Sequence, residues 1–149
     1  MKTNESSKPI VVEQIFNFPV SIVWEAITNL DHMKSWFFNN IPAFKPVVGF
    51  QTKFMVQSDD RNFTHLWKII EVIPYRRIKY RWSYEEYEGE GLVTFDLSEK
   101  GSKTILRLTN EGLETFPKNI PEFKRESCKA GWDFFIRKNL KDFLERKNP

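Results

Sequence analysis

The chain is poor in the residue types that build metal sites and disulfide frameworks. Among its 149 residues there are one cysteine, Cys128, two histidines, His32 and His65, and six glycines. A single cysteine excludes an internal disulfide. Because these three side chains do not lie at a metal-ligand spacing such as H-x-x-x-H or C-x-x-C, we expect no metal site. G-x-G-x-x-G, G-x-x-x-x-G-K-[ST] and G-x-S-x-G motifs are also missing, so we expect no nucleotide cofactor and no serine-hydrolase elbow.

Long apolar runs and a strong net charge are missing as well. No run approaches the roughly 20 apolar residues of a membrane-spanning helix, and the polar first residues lead into no signal-peptide core. Lys plus Arg number 23 and Asp plus Glu number 20, so the formal net charge is only +3. We therefore predict a cytoplasmic protein with no membrane span, and we do not expect nucleic acid as a partner.

Aromatic residues are what the chain has in excess. Fourteen Phe, five Trp and four Tyr make up 15% of the sequence, and hydrophobic residues make up 40%. This composition excludes a wholly disordered chain, and the length fits one domain with one core. We predict a flexible polar N-terminus over residues 1–8 and a single domain over residues 9–149.

Hydrophobic periodicity predicts an α+β fold. A strand at about 9–17 is followed by two short helices, the first opened by Pro19 and the second capped by Asp31. From Phe44 to Glu111 the apolar period changes to two, which indicates six more strands, at about 43–48, 50–58, 62–73, 76–85, 91–99 and 102–111. The third of these six carries an irregular pattern that suggests a bulge. About 25 residues after Pro121 return to a helical period. The pattern predicts a seven-strand curved antiparallel sheet with a long C-terminal helix packed in its concave face.

Short stretches in this order resemble the SRPBCC (START or birch-pollen-allergen-like) superfamily with its helix-grip fold, and within it the group named after the activator of heat-shock protein 90 ATPase. The stretches cover residues 9–146 and are Phe18-Pro19-Val20, Val23-Trp24-Glu25-Ala26-Ile27-Thr28, His32-Met33-Lys34-Ser35-Trp36-Phe37, Val48-Gly49-Phe50, Glu71-Val72-Ile73-Pro74, Ile78-Lys79-Tyr80-Arg81-Trp82, Val93-Thr94-Phe95, Thr104-Ile105-Leu106-Arg107-Leu108-Thr109, Gly131-Trp132 and Asn139-Leu140. The resemblance implies a sheet that grips the last helix around an apolar cavity, which in relatives holds hydrophobic molecules. It also implies a link to the stress response.

Side-chain parity predicts which residues face the space between the sheet and the last helix. Ten are aromatic, and His65 and Asn110 add polar groups that, with Tyr80, can orient a ligand. The predicted ligand-binding set is Trp36, Phe37, Phe50, Phe54, His65, Trp67, Tyr80, Trp82, Phe95, Asn110, Trp132 and Phe135. Two interpretations remain open at this point: the rings fill a solid core, or they line a hollow.

We predict that the protein binds a small hydrophobic molecule in this aromatic-lined cavity, and we assign no catalytic residue and no cofactor. Cys128 lies on the apolar stripe of the last helix and is expected to be a buried thiol. Two alternatives stay open: a chaperone-interaction module, favoured by the resemblance and by the acidic hairpin at 85–90, and a cyclase- or hydrolase-like enzyme with His65 as its base. The chain is expected to be a monomer or a weak homodimer.

Overall fold

The computed structural model describes residues 8–148. Of the N-terminal segment predicted to be flexible, residues 1–7 lie outside this range. Within it the chain forms one antiparallel sheet and a set of helices that pack on one of its faces. The predicted α+β architecture, an open antiparallel sheet with a C-terminal helix, is therefore confirmed.

The sheet has six strands within residues 8–148: β1 Ile10–Phe16, β2 Gln51–Ser58, β3 Arg61–Ile73, β4 Arg77–Tyr84, β5 Tyr87–Lys100 and β6 Lys103–Glu111. Their order across the sheet is β1-β6-β5-β4-β3-β2. Consecutive strands from β2 to β6 are neighbours, and β1 lies beside β6, which leaves β1 and β2 at the two edges.

The seven-strand prediction is wrong, because the strand expected at 43–48 does not form. Residues 41–46 are irregular and a turn follows them. Pro46 has no N–H to give to a ladder, and the Val47 N–H instead donates to the Lys45 carbonyl at 2.9 Å. Phe44 is nevertheless buried, at 7% exposure. The apolar pattern at this point therefore reflects packing of an irregular segment on the sheet.

Two other strand predictions have different outcomes. The bulge expected in β3 is confirmed: the register with β4 shifts between Ile69 and Glu71. The hairpin expected at 85–90 is shorter than predicted, since β5 already begins at Tyr87. The Glu86 carboxylate accepts hydrogen bonds from the Thr64 N–H at 2.7 Å and the Thr64 hydroxyl at 2.6 Å, and these bonds tie the tight turn to β3.

Two short helices follow β1, as predicted. They are α1 Val20–Thr28 and α2 Leu30–Trp36. Pro19 precedes α1 at the position where its missing N–H costs nothing. The cap of α2 is Asn29 rather than Asp31, because the Asn29 side chain accepts the His32 N–H at 3.1 Å. Asp31 instead lies in the first turn, where its charge suits the helix dipole.

The C-terminal helix is continuous but not uniform. It comprises α3 Arg125–Trp132, a π-helical segment Asp133–Leu140, and α4 Lys141–Lys147. Two single 3₁₀ turns, Leu113–Thr115 and Pro121–Phe123, connect β6 to it. None of the helices in residues 8–148 has the length and apolar character that a membrane crossing requires.

Specific hydrogen bonds join the helices to each other and to the sheet. The Trp36 indole N–H donates to the Ala26 carbonyl at 2.7 Å, which locks α2 onto α1. The Asn139 amide donates to the Trp36 carbonyl at 3.2 Å and ties the π-helical segment to the end of α2. These bonds fix where Trp36 and the two phenylalanines after it enter the space between sheet and helix.

Candidate functional site

One part of the space between sheet and C-terminal helix is filled by aromatic rings. Phe37, which follows α2, lies at the centre and is 7% exposed. Its ring lies 4.6 Å from that of Trp36, 5.4 Å from that of Trp67 and 4.9 Å from that of Phe135, measured between centroids. Tyr80 lies next to Trp67 at 5.1 Å. This part of the interior is a solid aromatic core.

The other part contains a cavity of about 380 Å³. It is bounded by the inner face of the sheet, by the segment that connects β6 to the C-terminal helix, and by α3 with the start of the π-helical segment. Its wall consists of Phe38, Val56, Ser58, Phe63, His65, Trp82, Tyr84, Gly91, Asn110, Leu113, Phe116, Glu122, Phe123, Cys128, Gly131, Trp132 and Phe135.

The twelve residues predicted to bind ligand divide between these two regions. The structure brings five of them together on the cavity wall: His65, Trp82, Asn110, Trp132 and Phe135. The other seven do not line the cavity, although Phe37 and Phe54 pack against residues of its wall. Trp36, Phe37, Phe54, Trp67, Tyr80 and Phe95 are buried in the solid core, and Phe50 is half-buried beside Phe44. The Tyr80 hydroxyl is buried without a hydrogen-bond partner among the described residues.

The sequence pattern gave no indication of the aromatic residues that the connecting segment adds to the cavity. Phe116 and Phe123 stack on each other with centroids 5.0 Å apart, and Phe123 also meets Phe63 at 5.5 Å. All three line the cavity, as does Tyr84. The signal available in the sequence was a pair of phenylalanines in a segment punctuated by Pro117 and Pro121. Strand and helix periods do not apply to such a segment.

The ring N–H groups of the cavity wall already have acceptors within the wall. The Trp82 indole donates to the Tyr84 hydroxyl oxygen at 2.9 Å, and the Trp132 indole donates to the Asn110 side-chain oxygen at 3.0 Å. His65 Nδ1 lies 2.9 Å from the Phe63 carbonyl oxygen. Because a carbonyl can only accept, Nδ1 carries the proton in the neutral imidazole and Nε2 is left as an acceptor.

His65 is held neutral by its surroundings. It is 5% exposed, and its ring stacks on Phe54 at 4.8 Å. Burial disfavours the imidazolium and lowers the pKa of His65 from 6.5 to about 4, against weaker opposite effects of the Phe63 carbonyl and Glu86. At neutral pH this residue is therefore an uncharged hydrogen-bonding group in an aromatic wall.

An acidic side chain lies where the β2–β3 hairpin meets the connecting segment. The Ser58 hydroxyl donates to Glu122 Oε2 at 2.8 Å, and Arg61 Nη1 lies 3.4 Å from the same oxygen. Burial alone raises the pKa of Glu122, but the hydrogen bonds and the Arg61 charge together hold it below its ordinary value. Glu122 is thus ionised at neutral pH, and these contacts join the hairpin to the segment across the cavity.

Cys128 lies in this wall as a protonated thiol. Its Sγ donates to the Glu122 carbonyl at 3.6 Å. Burial raises the pKa of Cys128 to about 11, because a thiolate is poorly solvated in this apolar wall. A thiol in this state is a weak nucleophile.

In residues 8–148, no three His, Cys, Asp or Glu side chains lie together in a way that could hold a metal ion.

On the outer face of the sheet, several charged side chains form ion pairs. The pairs are Lys53–Glu85 at 3.2 Å, Arg81–Glu90 at 2.8 Å, Arg77–Asp96 at 2.6 Å and Arg107–Glu13 at 3.7 Å. The outer face is therefore mixed in charge, and such exposed pairs add little stability.

Comparison with known proteins identifies the family. The family described as "Activator of Hsp90 ATPase homolog 1-like protein" matches residues 17–145. The chain belongs to this family. The match confirms the resemblance seen in the sequence. Among curated proteins, none matches this chain.

Solved structures of related fold cover nearly the whole chain. A protein of Chromobacterium violaceum is 19% identical with a TM-score of 0.76, and 92% of this chain aligns with 96% of that one. The Aha1 dimer of Colwellia psychrerythraea, solved in solution, is 20% identical with a TM-score of 0.71, covering 95% of this chain and 99% of that one. DynU16, a protein from the dynemicin biosynthetic locus, is 26% identical with a TM-score of 0.74, and 95% of this chain aligns with 48% of that longer chain.

Proposed function

We propose that the protein binds a small hydrophobic molecule in the cavity, without a cofactor and without catalysis. The observation that carries the proposal is a cavity of about 380 Å³ that is lined by aromatic rings and a few polar groups. Ligand pockets in proteins are concave, mostly apolar and about 300–1,000 Å³ in volume. The family and its fold are consistent with a ligand-binding module.

The size of the cavity sets the affinity to expect. Burial of about 300 Å² of ligand carbon contributes about 7 kcal/mol at 25 cal/mol per Å². Immobilisation of the ligand opposes this gain. A dissociation constant in the micromolar range corresponds to about 8 kcal/mol, so micromolar binding requires a preformed wall and at least one hydrogen bond. The linked Trp82–Tyr84 and Trp132–Asn110 pairs provide a wall of that kind.

The protonation states of the polar groups in the cavity wall favour ligand binding over catalysis. A general base works best when its pKa lies near the working pH. The pKa of His65 is about 4 and that of Cys128 about 11, so neither is poised for proton transfer or attack at pH 7. Both fit the role of hydrogen-bonding groups in a binding pocket.

Gly131 allows a direct test, because it lies on the cavity wall within α3 and a Cβ at this position meets no atom within 4 Å. Gly131→Leu is designed to place a side chain in the cavity, and Gly131→Ala is its matched control. We expect tryptophan fluorescence titrations with sterols, fatty acids and flat polyphenols to give micromolar binding of at least one probe to wild type and Gly131→Ala. The leucine variant should bind that probe at least about tenfold more weakly, which corresponds to 1.4 kcal/mol.

The stability of the two variants and the pattern of probe binding decide how this titration is interpreted. Removal of a helix-interior glycine favours the fold, by up to about 1 kcal/mol for alanine, so both variants should melt no lower than wild type. A probe that binds all three proteins equally lies outside the cavity, and its binding then contradicts the proposal. Failure of the whole panel on folded wild-type protein also contradicts it.

The family match favours a second candidate, a chaperone-interaction module. The experiment is to add the protein to the Hsp90 of the same cell and to measure the rate of ATP hydrolysis. A stimulated rate supports this candidate, and an unchanged rate together with no complex disposes of it. The Gly131→Leu variant again discriminates, because a surface interaction does not need the cavity.

A further inference from the structure

Among the polar groups that the hydrogen bonds of the cavity wall leave for a ligand, two belong to His65 and Tyr84. The Trp82, Trp132 and His65 ring N–H groups each have an acceptor. His65 Nε2 accepts no hydrogen bond within residues 8–148, and the Tyr84 hydroxyl, which accepts from Trp82, donates its own proton to none of the described residues. His65 and Tyr84 thus offer one acceptor and one donor, and Glu122 Oε1, which is buried without a partner among the described residues, is a further acceptor.

The two groups are neighbours. His65 on β3 and Tyr84 on β4 form a directly opposed pair across the two strands. Their ring centroids lie 4.9 Å apart, and both residues line the cavity. Both are uncharged at neutral pH: burial lowers the pKa of His65, and it raises the pKa of Tyr84 further above its ordinary value.

The charge of the wall decides against an anionic ligand. Among the residues that line the cavity, none is Lys or Arg, and Glu122 is an ionised carboxylate. Beside His65 and Tyr84 a carboxylate finds the Tyr84 hydroxyl as a donor, and it loses its hydration without a cation in the wall to offset that loss. A hydroxyl group, in contrast, both donates and accepts.

We propose that the ligand is an uncharged hydrophobic molecule whose hydroxyl group donates to His65 Nε2 and accepts from the Tyr84 hydroxyl. This inference rests on the proposed function and specifies its ligand class, alcohols and phenols as opposed to fatty acids. The aromatic wall holds the carbon skeleton, and the His65–Tyr84 pair selects the hydroxyl.

Three naphthalene probes test the inference by calorimetry at pH 7: 2-naphthol, naphthalene and 2-naphthoate. Two additional hydrogen bonds should make 2-naphthol bind about tenfold more tightly than naphthalene, and 2-naphthoate should bind most weakly. Tyr84→Phe removes one hydroxyl and should weaken 2-naphthol binding about fivefold without weakening naphthalene binding. Tyr87→Phe is the control, because Tyr87 contacts Phe63 and Phe123 outside the lining set and its hydroxyl loss should change neither affinity.

The results distinguish failure of this inference from failure of the proposed function. Equal binding of 2-naphthol and naphthalene, or tighter binding of 2-naphthoate, overturns the inference, while the function stands if Gly131→Leu still blocks the probe. Absence of binding by all three probes overturns the inference, and the Gly131 titrations with the wider panel then decide the proposed function. Should Tyr84→Phe fail to fold, His65→Phe makes the same comparison, since it removes the acceptor and keeps a ring beside Phe54.

Discussion

Phe37→Ala is expected to lower the free energy of unfolding by about 4 kcal/mol. The Phe37 ring lies at the centre of the solid core and contacts aromatic rings from α2, β3, β4, β5 and the C-terminal helix. Truncation leaves a void among rigid aromatic neighbours that collapse poorly into it, so the cavity penalty adds to the lost burial. Urea unfolding followed by circular dichroism measures the change.

The matched control for Phe37 is Phe134, a phenylalanine of the π-helical segment that is 50% exposed. Phe134→Ala should change stability by no more than about 0.5 kcal/mol. A loss below about 1 kcal/mol for Phe37→Ala would mean that this part of the interior is loosely packed, and the division into a filled core and the cavity beside it would then be wrong.

Acid should destabilise the protein through His65. The pKa of His65 is about 4 in the folded chain and 6.5 in its ordinary state, so the unfolded chain takes up the proton first as the pH falls. The contribution is complete above pH 6.5 and is lost as the pH drops from there to about 4, with a total loss of about 3 kcal/mol. Unfolding free energies measured at intervals between pH 7 and 4 report this slope.

His65→Phe isolates the contribution of His65. His32 also has a lowered pKa, because of burial and the nearby Lys147 charge, and its effect remains in the variant. The pH dependence of wild type minus that of His65→Phe should therefore show stability rising with pH between 4 and 6.5. Identical slopes in the two proteins would show that His65 is accessible to water and charges freely, contrary to the buried site described above.

The sequence predicts the sheet well where its pattern is unambiguous. In β4, Ile78, Tyr80 and Trp82 are buried and alternate with charged residues, and the predicted bounds are within one residue of the observed strand. The strand predicted at 43–48 does not form. Apolar content alone does not show whether a segment can make the hydrogen bonds of a β-ladder, and Pro46 prevents them there. The π-helical segment also escaped prediction, since a helical period indicates a helix but not the spacing of its hydrogen bonds.

The candidate site was predictable only in part. The alternation of side chains along a strand gives the face of the sheet on which Trp67 and Trp82 lie. It does not show which part of the space above that face is filled by other side chains and which part is left as a cavity. That depends on Phe37 and Phe38, which leave the end of α2 in a direction set by the bonds of Trp36. The far wall depends on Phe116 and Phe123, whose irregular segment carries no period at all.

The position of bound 2-naphthol, obtained from intermolecular NMR contacts in a saturated sample, shows whether the cavity is the binding site. We expect contacts between the naphthol protons and the rings of Trp82, Phe123 and Trp132, with the Phe37 ring unmoved. Contacts confined to exposed side chains such as Phe134 would show that the ligand binds outside the cavity and that the proposed site is wrong.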